Sequence, residues 1–417
     1  MEAINIPNKE YLELNFVAPT ATGTGNNMQF IMENQGDGTF LCIDGRVGIK
    51  VGKNKPKQYV LPMSQWDEVY TNKVNRGYLL TKQKKMERKE VLKENVSSKG
   101  YGPIKDTAVQ LIVDRLLAFA NQVLDTNYTV KIDDISDEMV EYGKKILDEL
   151  ADFKKMSVAE FNNKLRVLYA AIPRRMDKLS KFLAKSESDF NDIVANEQEL
   201  YDIMIGQIRS TNDISKSNKT ILEAMGIDIR PVTEEEKDRI IKKLGSEGNR
   251  YKNAWRIINY KTEKDFEEFC KKENLTEKKG IDHLFHGSRN ENFWSIITNG
   301  LTVNPTGVVI TGKAYGNGTY FAPQAVKSMG YTSRSGSRWA NGTTSSGFLG
   351  IYKVATGKRF NGQGGCNHTL NWKNLQKICP GAHCTWAEAR YSGFCMDEVI
   401  VYQNQQSTVE YLVEVGL

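Results

Sequence analysis

Residues 284–289 read Leu-Phe-His-Gly-Ser-Arg, residues 315–322 read Tyr-Gly-Asn-Gly-Thr-Tyr-Phe-Ala, and residues 397–402 read Asp-Glu-Val-Ile-Val-Tyr. All three segments contain short runs of apolar and aromatic residues, and Gly-rich stretches lie between them. Such runs are typical of buried strands. We therefore expect residues 225–417 to form an α+β domain with a mixed sheet and a mainly β C-terminal half.

Residues 100–222 have a different pattern, in which apolar residues recur at the spacing of a helix. The first such face is formed by Val109, Ile112, Leu116 and Ala120. Ser157 and Glu160 make a capping-box pattern that begins a later helix. The spacing predicts an all-α bundle. The polar run at 210–219 predicts a boundary at its end.

Residues 1–95 predict a small β-rich module closed by one helix. The strand-like runs are 28–32, 39–43 and 47–52, a Gly-rich turn occupies 35–38, and helical spacing covers 64–77. The chain is thus expected to be a multidomain α+β protein, with the three domains at 1–95, 100–222 and 225–417.

The 417-residue chain has a net charge of +6 that is unevenly spread. Residues 1–105 hold 16 Lys+Arg against 11 Asp+Glu, residues 106–233 hold 17 against 22, and the remainder holds 24 against 18. An acidic middle between basic ends predicts modules with different partners, and a basic first module is compatible with nucleic acid. No apolar run is long enough for a membrane span, and six cysteines are too few for a disulfide scaffold. We expect a nuclear protein if the source is eukaryotic, and a cytoplasmic one otherwise.

The three opening segments, in this order, resemble the NAD⁺ site of the poly(ADP-ribose) polymerases. That family has an H-G-S strand, a G-x-Y-F-A strand with a K-S-x-x-Y helix after it, and an E-x-I-V-Y strand. The matching residues here are 286–288, 318–322, 327–331 and 398–402. By the same resemblance, residues 1–95 are similar to the family's WGR domain, residues 100–222 to its helical regulatory domain, and residues 225–417 to its ADP-ribosyltransferase domain.

The resemblance implies that His286, Tyr320 and Glu398 are the catalytic residues. The chemistry of NAD⁺ transfer supports the choice of a glutamate. Loss of nicotinamide builds positive charge on the ribose, so the reaction needs a nearby carboxylate and a fixed orientation more than a strong nucleophile. By resemblance, Glu398 also bonds a ribose hydroxyl and orients the acceptor, and His286 bonds the adenosine ribose.

The remaining cofactor-binding residues are also assigned by resemblance. The backbone of Gly287 and the hydroxyl of Ser328 would hold the carboxamide of nicotinamide, and Tyr331 would stack on its ring together with the catalytic tyrosine. Ser288 would assist at the adenosine ribose. Lys327 would contact the catalytic glutamate or an incoming acceptor. NAD⁺ is the expected co-substrate, and no metal is expected.

Three positions depart from the family pattern at the adenine side of the donor site. Thr302 stands where the family commonly has an arginine, Lys313 where an aromatic residue is usual, and Pro323 where an aspartate is common. We therefore expect an ordinary nicotinamide end and an altered adenine end.

The first module departs at the tryptophan that names the WGR domain, because Asp44 precedes Gly45 and Arg46. In the family this tryptophan packs on a DNA end, and a carboxylate there would repel phosphates. Break ends of DNA, contacted through residues 1–105, remain the expected partner. Another nucleic acid or a protein stays an alternative.

A second group of residues has the chemistry of metal ligands. Its members are Cys366, His368, Cys379, His383 and Cys384. Their spacing differs from common zinc modules, and the segment around His383 resembles a part of the family that binds no metal. A structural role is therefore favoured over zinc.

These observations favour a poly(ADP-ribosyl)transferase that modifies proteins, including itself. Activation by DNA breaks or another nucleic acid, and autoinhibition by the helical segment, are expected from the resemblance. Two alternatives stay open. The same site could transfer a single ADP-ribose, or the chain could be a nucleic-acid-binding scaffold with a silent transferase.

Overall fold

The computed structural model describes residues 9–19, 25–46, 56–82, 101–129, 135, 137–176, 179–212, 219–303, 314–332 and 346–416. These residues fall into two compact units. One combines parts of residues 1–94 and 124–198, and the other combines parts of residues 95–123 and 199–417. In the described part of the chain, no helix is both long and apolar enough to cross a membrane.

The first unit contains a five-stranded antiparallel sheet. Its strands are β1 (Tyr11–Pro19), β2 (Gly25–Asn34), β3 (Thr39–Arg46), β4 (Lys57–Pro62) and β5 (Leu79–Lys82), in the order β4-β3-β2-β1-β5. Helix α1 (Trp66–Asn75) covers one face, where Trp66 meets Phe40 edge to face at 4.9 Å between ring centroids. The strands predicted at 28–32 and 39–43 are confirmed. The strand predicted at 47–52 lies outside the described residues.

The predicted helices are present in the middle of the chain. They are α2 (Thr107–Asn127), α3 (Asp137–Ala151), α4 (Val158–Ala171) and α5 (Phe190–Asn212). The capping box that begins α4 is formed, because Ser157 accepts from the amide of Glu160 and the Glu160 carboxylate accepts from Ser157. Phe161 stacks on Phe190 at 3.9 Å between ring centroids and joins α4 to α5.

The second unit contains two sheets. The antiparallel one has the order β6-β7-β14-β10-β8, with β6 (Ile227–Pro231), β7 (Tyr251–Asn259), β8 (Ile281–Gly287), β10 (Ser346–Ala355) and β14 (Ser407–Gly416). The other has the order β11-β12-β13-β9, with β9 (Thr319–Phe321), β11 (Arg359–Phe360), β12 (Cys384–Ala387) and β13 (Glu398–Val401). The β11–β12 pair is parallel and the other pairs are antiparallel, so the predicted mixed sheet is confirmed.

Short helices connect these strands. They are α6 (Ile221–Met225), α7 (Glu234–Leu244), α8 (Tyr260–Lys272), α9 (Phe293–Asn299), α10 (Ala325–Met329), α11 (Trp372–Ile378) and α12 (Ala389–Ser392). The predicted apolar face of α2 is buried, and its first half packs with Trp255, Leu284 and Phe348 in the core of this unit. A buried apolar cluster of this size is the main source of stability for the sheets that carry the site.

The mixed α/β architecture agrees with the sequence. The identification of the first module as WGR-like, the regulatory role of the helical segment and the three-way division at 1–95, 100–222 and 225–417 stay predictions.

Candidate active site

The end of β8 holds His286 in a fixed orientation. The Nδ1 atom of His286 lies 2.9 Å from the carbonyl oxygen of Tyr320, and a carbonyl can only accept, so the imidazole donates from this nitrogen. The rings of Phe321 and Tyr352 pack against the imidazole edge to face, at 5.8 and 6.0 Å between centroids. Neighbouring backbone bonds between Phe285 and Ala322 join the two strand ends. The segments 284–289 and 315–322 therefore meet here.

Tyr320 is the central residue of β9 and lies opposite Ile400 on β13. Its hydroxyl donates to the carbonyl of Gly316 and accepts from the amide of Tyr315, both at 3.0 Å. Burial, and to a lesser degree the charge of Glu398, raises the pKa of this phenol far above its ordinary value. Tyr320 therefore stays neutral, and its ring position is fixed at both ends.

Glu398 is the first residue of β13 and is buried. Its Oε1 lies 2.9 Å from the ammonium nitrogen of Lys327, a residue of α10. The two side chains are only 11% and 17% exposed. The Lys327 ammonium also lies 5.0 Å from the centre of the Phe394 ring. A buried, cation-paired carboxylate is the kind of group that can stabilise positive charge on a substrate.

Gly287 and Ser328 are packed backbone to backbone. A Cβ atom added to Gly287 would lie 1.9 Å from the carbonyl oxygen of Ser328. Only glycine can occupy this position without moving α10. Ser328 is buried, whereas Tyr331, three residues later, is 59% exposed among the described residues. The structure thus brings Gly287 beside Ser328 and leaves the ring of Tyr331 accessible.

Ser288 belongs to a hydrogen-bond chain that leads away from the strand end. Its Oγ accepts from Asn292 at 3.0 Å, and Asn292 also donates to Glu199 of α5 at 2.7 Å. Arg289 pairs with the same glutamate at 3.0 Å. The sequence did not indicate Glu199 as a neighbour of this segment, because about ninety residues separate them.

Three further residues near the site were missed from the sequence. Phe394 packs on Lys327, and Asp397 accepts from the Trp386 indole and the Ala389 amide. Their closeness in sequence to Glu398 could have identified both. Tyr352, behind His286, could not have been found, because its apolar strand pattern is that of any core tyrosine.

The adenine side is described only in part. Thr302 is exposed after α9, and the amide of Val303 beside it donates to Asn404 at 2.6 Å. Pro323 lies in the turn between β9 and α10. Lys313 lies outside the described residues. The altered adenine end therefore stays a prediction.

The cysteine and histidine group has other contacts. The Nδ1 of His383 accepts from the amide of Lys358, and its Nε2 faces Glu273 at 3.3 Å. Cys384 is buried and donates to the carbonyl of Thr356. In the described parts of the chain, no three histidine, cysteine or acidic side chains are grouped so that they could hold a metal ion.

Comparison with known proteins identifies the region that contains His286, Tyr320 and Glu398. Residues 234–417 match the poly(ADP-ribose) polymerase catalytic domain family. The chain is 29% identical over 181 residues to a poly [ADP-ribose] polymerase-like protein, 100L, of Invertebrate iridescent virus 6. That alignment spans 42% of this chain and 91% of the viral protein.

A human relative matches over a smaller share of its length. The chain is 31% identical over 127 residues to poly [ADP-ribose] polymerase 2 of Homo sapiens, which is 30% of this chain and 19% of the human protein. Every site residue predicted from the sequence lies within the family match. Residues 234–417 therefore match a poly(ADP-ribose) polymerase catalytic domain, and the comparisons support NAD⁺-dependent ADP-ribosyltransferase activity.

Proposed function

We propose that the chain transfers ADP-ribose from NAD⁺ to protein side chains, including its own, and extends the product into a polymer. The observation that carries this proposal is the buried pair of Glu398 and Lys327 at the start of β13, beside Tyr320 and His286. In this family, a glutamate with the histidine and tyrosine is the set associated with chain elongation.

The proposed reaction breaks the bond between the ribose C1 and the nicotinamide nitrogen. Nicotinamide leaves with the bonding electrons, and an acceptor oxygen donates a lone pair to C1 and releases any proton it carries to solvent. The Glu398 carboxylate stabilises the positive charge that builds on the ribose, and Lys327 fixes the orientation of that carboxylate. The Gly287 backbone and the Ser328 hydroxyl hold the carboxamide, and Tyr331 and Tyr320 stack on the ring.

The adenosine side of NAD⁺ is assigned to the end of β8. We propose that His286 bonds the adenosine ribose and that Ser288 assists. The contacts of the imidazole with Tyr320, Phe321 and Tyr352 support this role, because they set the ring before substrate arrives.

The proposed function is tested by incubating the full chain with labelled NAD⁺. The assay is run alone and with nicked, blunt-ended or 5′-phosphorylated DNA. A smear of labelled protein on a denaturing gel supports polymer synthesis. A single shifted band indicates mono-ADP-ribosyl transfer, and no turnover under any condition indicates a silent scaffold.

Substitution of Glu398 isolates the catalytic carboxylate. We expect Glu398→Gln to abolish elongation, which means a fall of about 100-fold or more in its rate, while NAD⁺ binding is retained. The matched control is Glu388→Gln, because, in the described part of the chain, the Glu388 carboxylate pairs with the exposed Arg390. Polymer synthesis by the Glu398 variant at the control rate would disprove the assigned role.

We further propose that α5 restrains the site. Residues 199–206 of α5 contact the segment that follows the catalytic histidine. Besides the two bonds to Glu199, Ser295 donates to the Asp202 carbonyl at 2.8 Å, and Trp294 donates to the Gly206 carbonyl at 3.3 Å. Through Asn292, this contact reaches the hydroxyl of Ser288. The helix is therefore placed to bias the position of the strand end.

A substitution at Gly206 tests the restraint. A Cβ atom there would lie 2.9 Å from the Cβ of Ser295, so Gly206→Val should force α5 away from α9. We expect basal activity without nucleic acid to rise several-fold, and Glu199→Gln to act in the same direction. Basal rates equal to wild type in both variants would rule out restraint by α5. Deleting 106–208 is a poorer test, because it also removes core residues of α2.

We propose that nucleic acid, with DNA break ends as the first choice, is the activating partner of residues 1–105. The Asp44 carboxylate is paired with Lys73 at 2.6 Å, so its charge is balanced and repels phosphate less than an isolated carboxylate. Arg46 and Lys57 are exposed nearby on β3 and β4. Nuclear location in a eukaryote, or cytoplasmic location otherwise, is part of the proposal. The DNA arms of the NAD⁺ assay test activation directly.

A further inference from the structure

The loop between β11 and α11, residues 361–371, lies against the segment that precedes β9. Backbone hydrogen bonds in both directions join the two. The amide of Asn367 in the loop donates to the carbonyl of Ala314 at 2.7 Å, and the amide of Asn317 donates to the carbonyl of Leu370 in the loop at 2.9 Å. The position of the segment before β9 therefore depends on a loop that is remote from it in sequence.

Tyr315 is fully buried in this segment, and its hydroxyl, carbonyl and amide are all bonded. The hydroxyl donates to the carbonyl of Gly362 in the loop at 3.2 Å. The carbonyl accepts from the hydroxyl of Tyr402, the residue after β13, at 3.0 Å. The amide donates to the phenol oxygen of Tyr320 at 3.0 Å. Tyr315 therefore connects the loop and the end of β13 to the phenol of the proposed catalytic tyrosine.

The backbone and the phenol of Tyr320 are held by different parts of the domain. The backbone is held by the pairing of β9 with β13, and its carbonyl lies within hydrogen-bond distance of His286. The phenol is held by the Tyr315 amide and the Gly316 carbonyl, which belong to the segment that the loop anchors. A shift of this segment would therefore tilt the ring of Tyr320 and leave the contact with His286 in place.

We propose that Tyr315 is a positioning residue for the nicotinamide end of the donor site. The bond from its hydroxyl to the loop sets the position of its amide, and the amide sets the tilt of the Tyr320 ring. The inference rests on the proposed function, in which that ring stacks on nicotinamide. The loop also contains Cys366 and His368. This stretch of the cysteine and histidine group thus has a structural role, which is to anchor the segment that holds the phenol.

The test compares the two halves of the donor in the full chain. Tyr315→Phe keeps the buried ring and removes the donor to the Gly362 carbonyl, so a residue that only fills the core would tolerate it. We expect the affinity for nicotinamide, measured as its inhibition constant, to fall on the order of 10-fold. The affinity for ADP-ribose, measured in the same way, should stay within about 2-fold, because His286 and the backbone of β9 are held separately.

Tyr402→Phe removes the donor to the Tyr315 carbonyl, and it should change the ratio of the two affinities in the same direction. It also keeps the proposal testable if Tyr315→Phe fails to fold. The matched control is Tyr411→Phe, which removes another buried hydroxyl, one that donates to Glu236, and should keep the wild-type ratio. An unchanged ratio in both test variants would overturn the proposal, as would equal losses of both affinities or an equal change in the control. A wild-type chain that neither binds nicotinamide nor releases it from NAD⁺ would instead refute the proposed function, and this inference with it.

Discussion

Each of the two units contains a lysine–carboxylate pair, Lys73–Asp44 in the first and Lys327–Glu398 in the second, and the two pairs differ in which charge is more deeply buried. In the first module, Lys73 is the buried member, with 8% of its side chain exposed against 28% for Asp44. In the catalytic domain, Glu398 is the more buried member, at 11% against 17% for Lys327. The Lys73 ammonium lies over two rings, Phe30 at 3.7 Å and Tyr78 at 4.7 Å.

The difference lies in which charge is shielded from water. Burial of Lys73 between aromatic faces makes Asp44 a counterion for a core cation, which is a structural role. Burial of Glu398 at a strand start, with an accessible Tyr331 ring in the same site, suits a carboxylate that must act on a substrate. The need to balance the buried Lys73 charge therefore accounts for an aspartate at position 44. This residue need not be interpreted only as the loss of a DNA contact.

The largest effect is expected at the proposed catalytic pair, Lys327 and Glu398. Lys327→Met should lower the rate of transfer on the order of 100-fold, because the Glu398 carboxylate loses the group that orients it. The matched control is Lys353→Met, which removes another partly buried pair, with Glu263 of α8. Steady-state kinetics measure the activity of each variant, and melting curves show whether each variant is folded. If the control loses as much activity per folded molecule as Lys327→Met, the catalytic assignment is wrong.

A smaller effect is expected at the pair in the first module. Asp44→Asn should destabilise this module by about 2 kcal/mol, because it leaves the Lys73 ammonium buried without a carboxylate. Lys73→Met should cost less, since Asp44 can be solvated and methionine still packs on Phe30 and Tyr78. Hydrogen exchange of the β2 and β3 amides measures both. Greater destabilisation by Lys73→Met would reverse the structural interpretation.

The smallest effect is expected at a third carboxylate, Glu410, because its partner is His283, which can titrate near neutral pH. The hydrogen bond with Glu410 raises the pKa of His283 above its ordinary value. The stabilisation is therefore complete below about pH 6.5 and is lost as pH rises through the raised pKa. The ring is about a third exposed, so we expect a loss under about 1 kcal/mol. Melting curves from pH 6 to 9 should show this slope, and His283→Gln should flatten it. An equal slope in the variant would exclude His283 as its cause.

Much of the local structure could be predicted because its causes are local. The capping box at Ser157 and Glu160 and the strands at 28–32 and 39–43 depend on neighbours only a few residues away. The family resemblance of the three site segments also implied that His286 and Tyr320 would meet, and their strand ends are joined in the structure.

The long-range partners could not be predicted in this way. Helical spacing showed that one face of α2 is buried, but spacing does not reveal against which residues. The structure packs the first half of that face on Trp255, Leu284 and Phe348. Likewise, nothing in the local pattern of Glu199 distinguishes it from a solvated helix glutamate, although Arg289 and Asn292 both bond to it.

The contact between Gly287 and Ser328 has a consequence for drug resistance. If the proposed donor site is right, a compound that mimics nicotinamide would use the backbone groups of Gly287, and any side chain at 287 would overlap the backbone of α10. The protein therefore has no simple way to exclude such a compound by enlarging this residue. Resistant variants selected against it should carry changes at other positions, and position 287 should remain glycine in every active survivor.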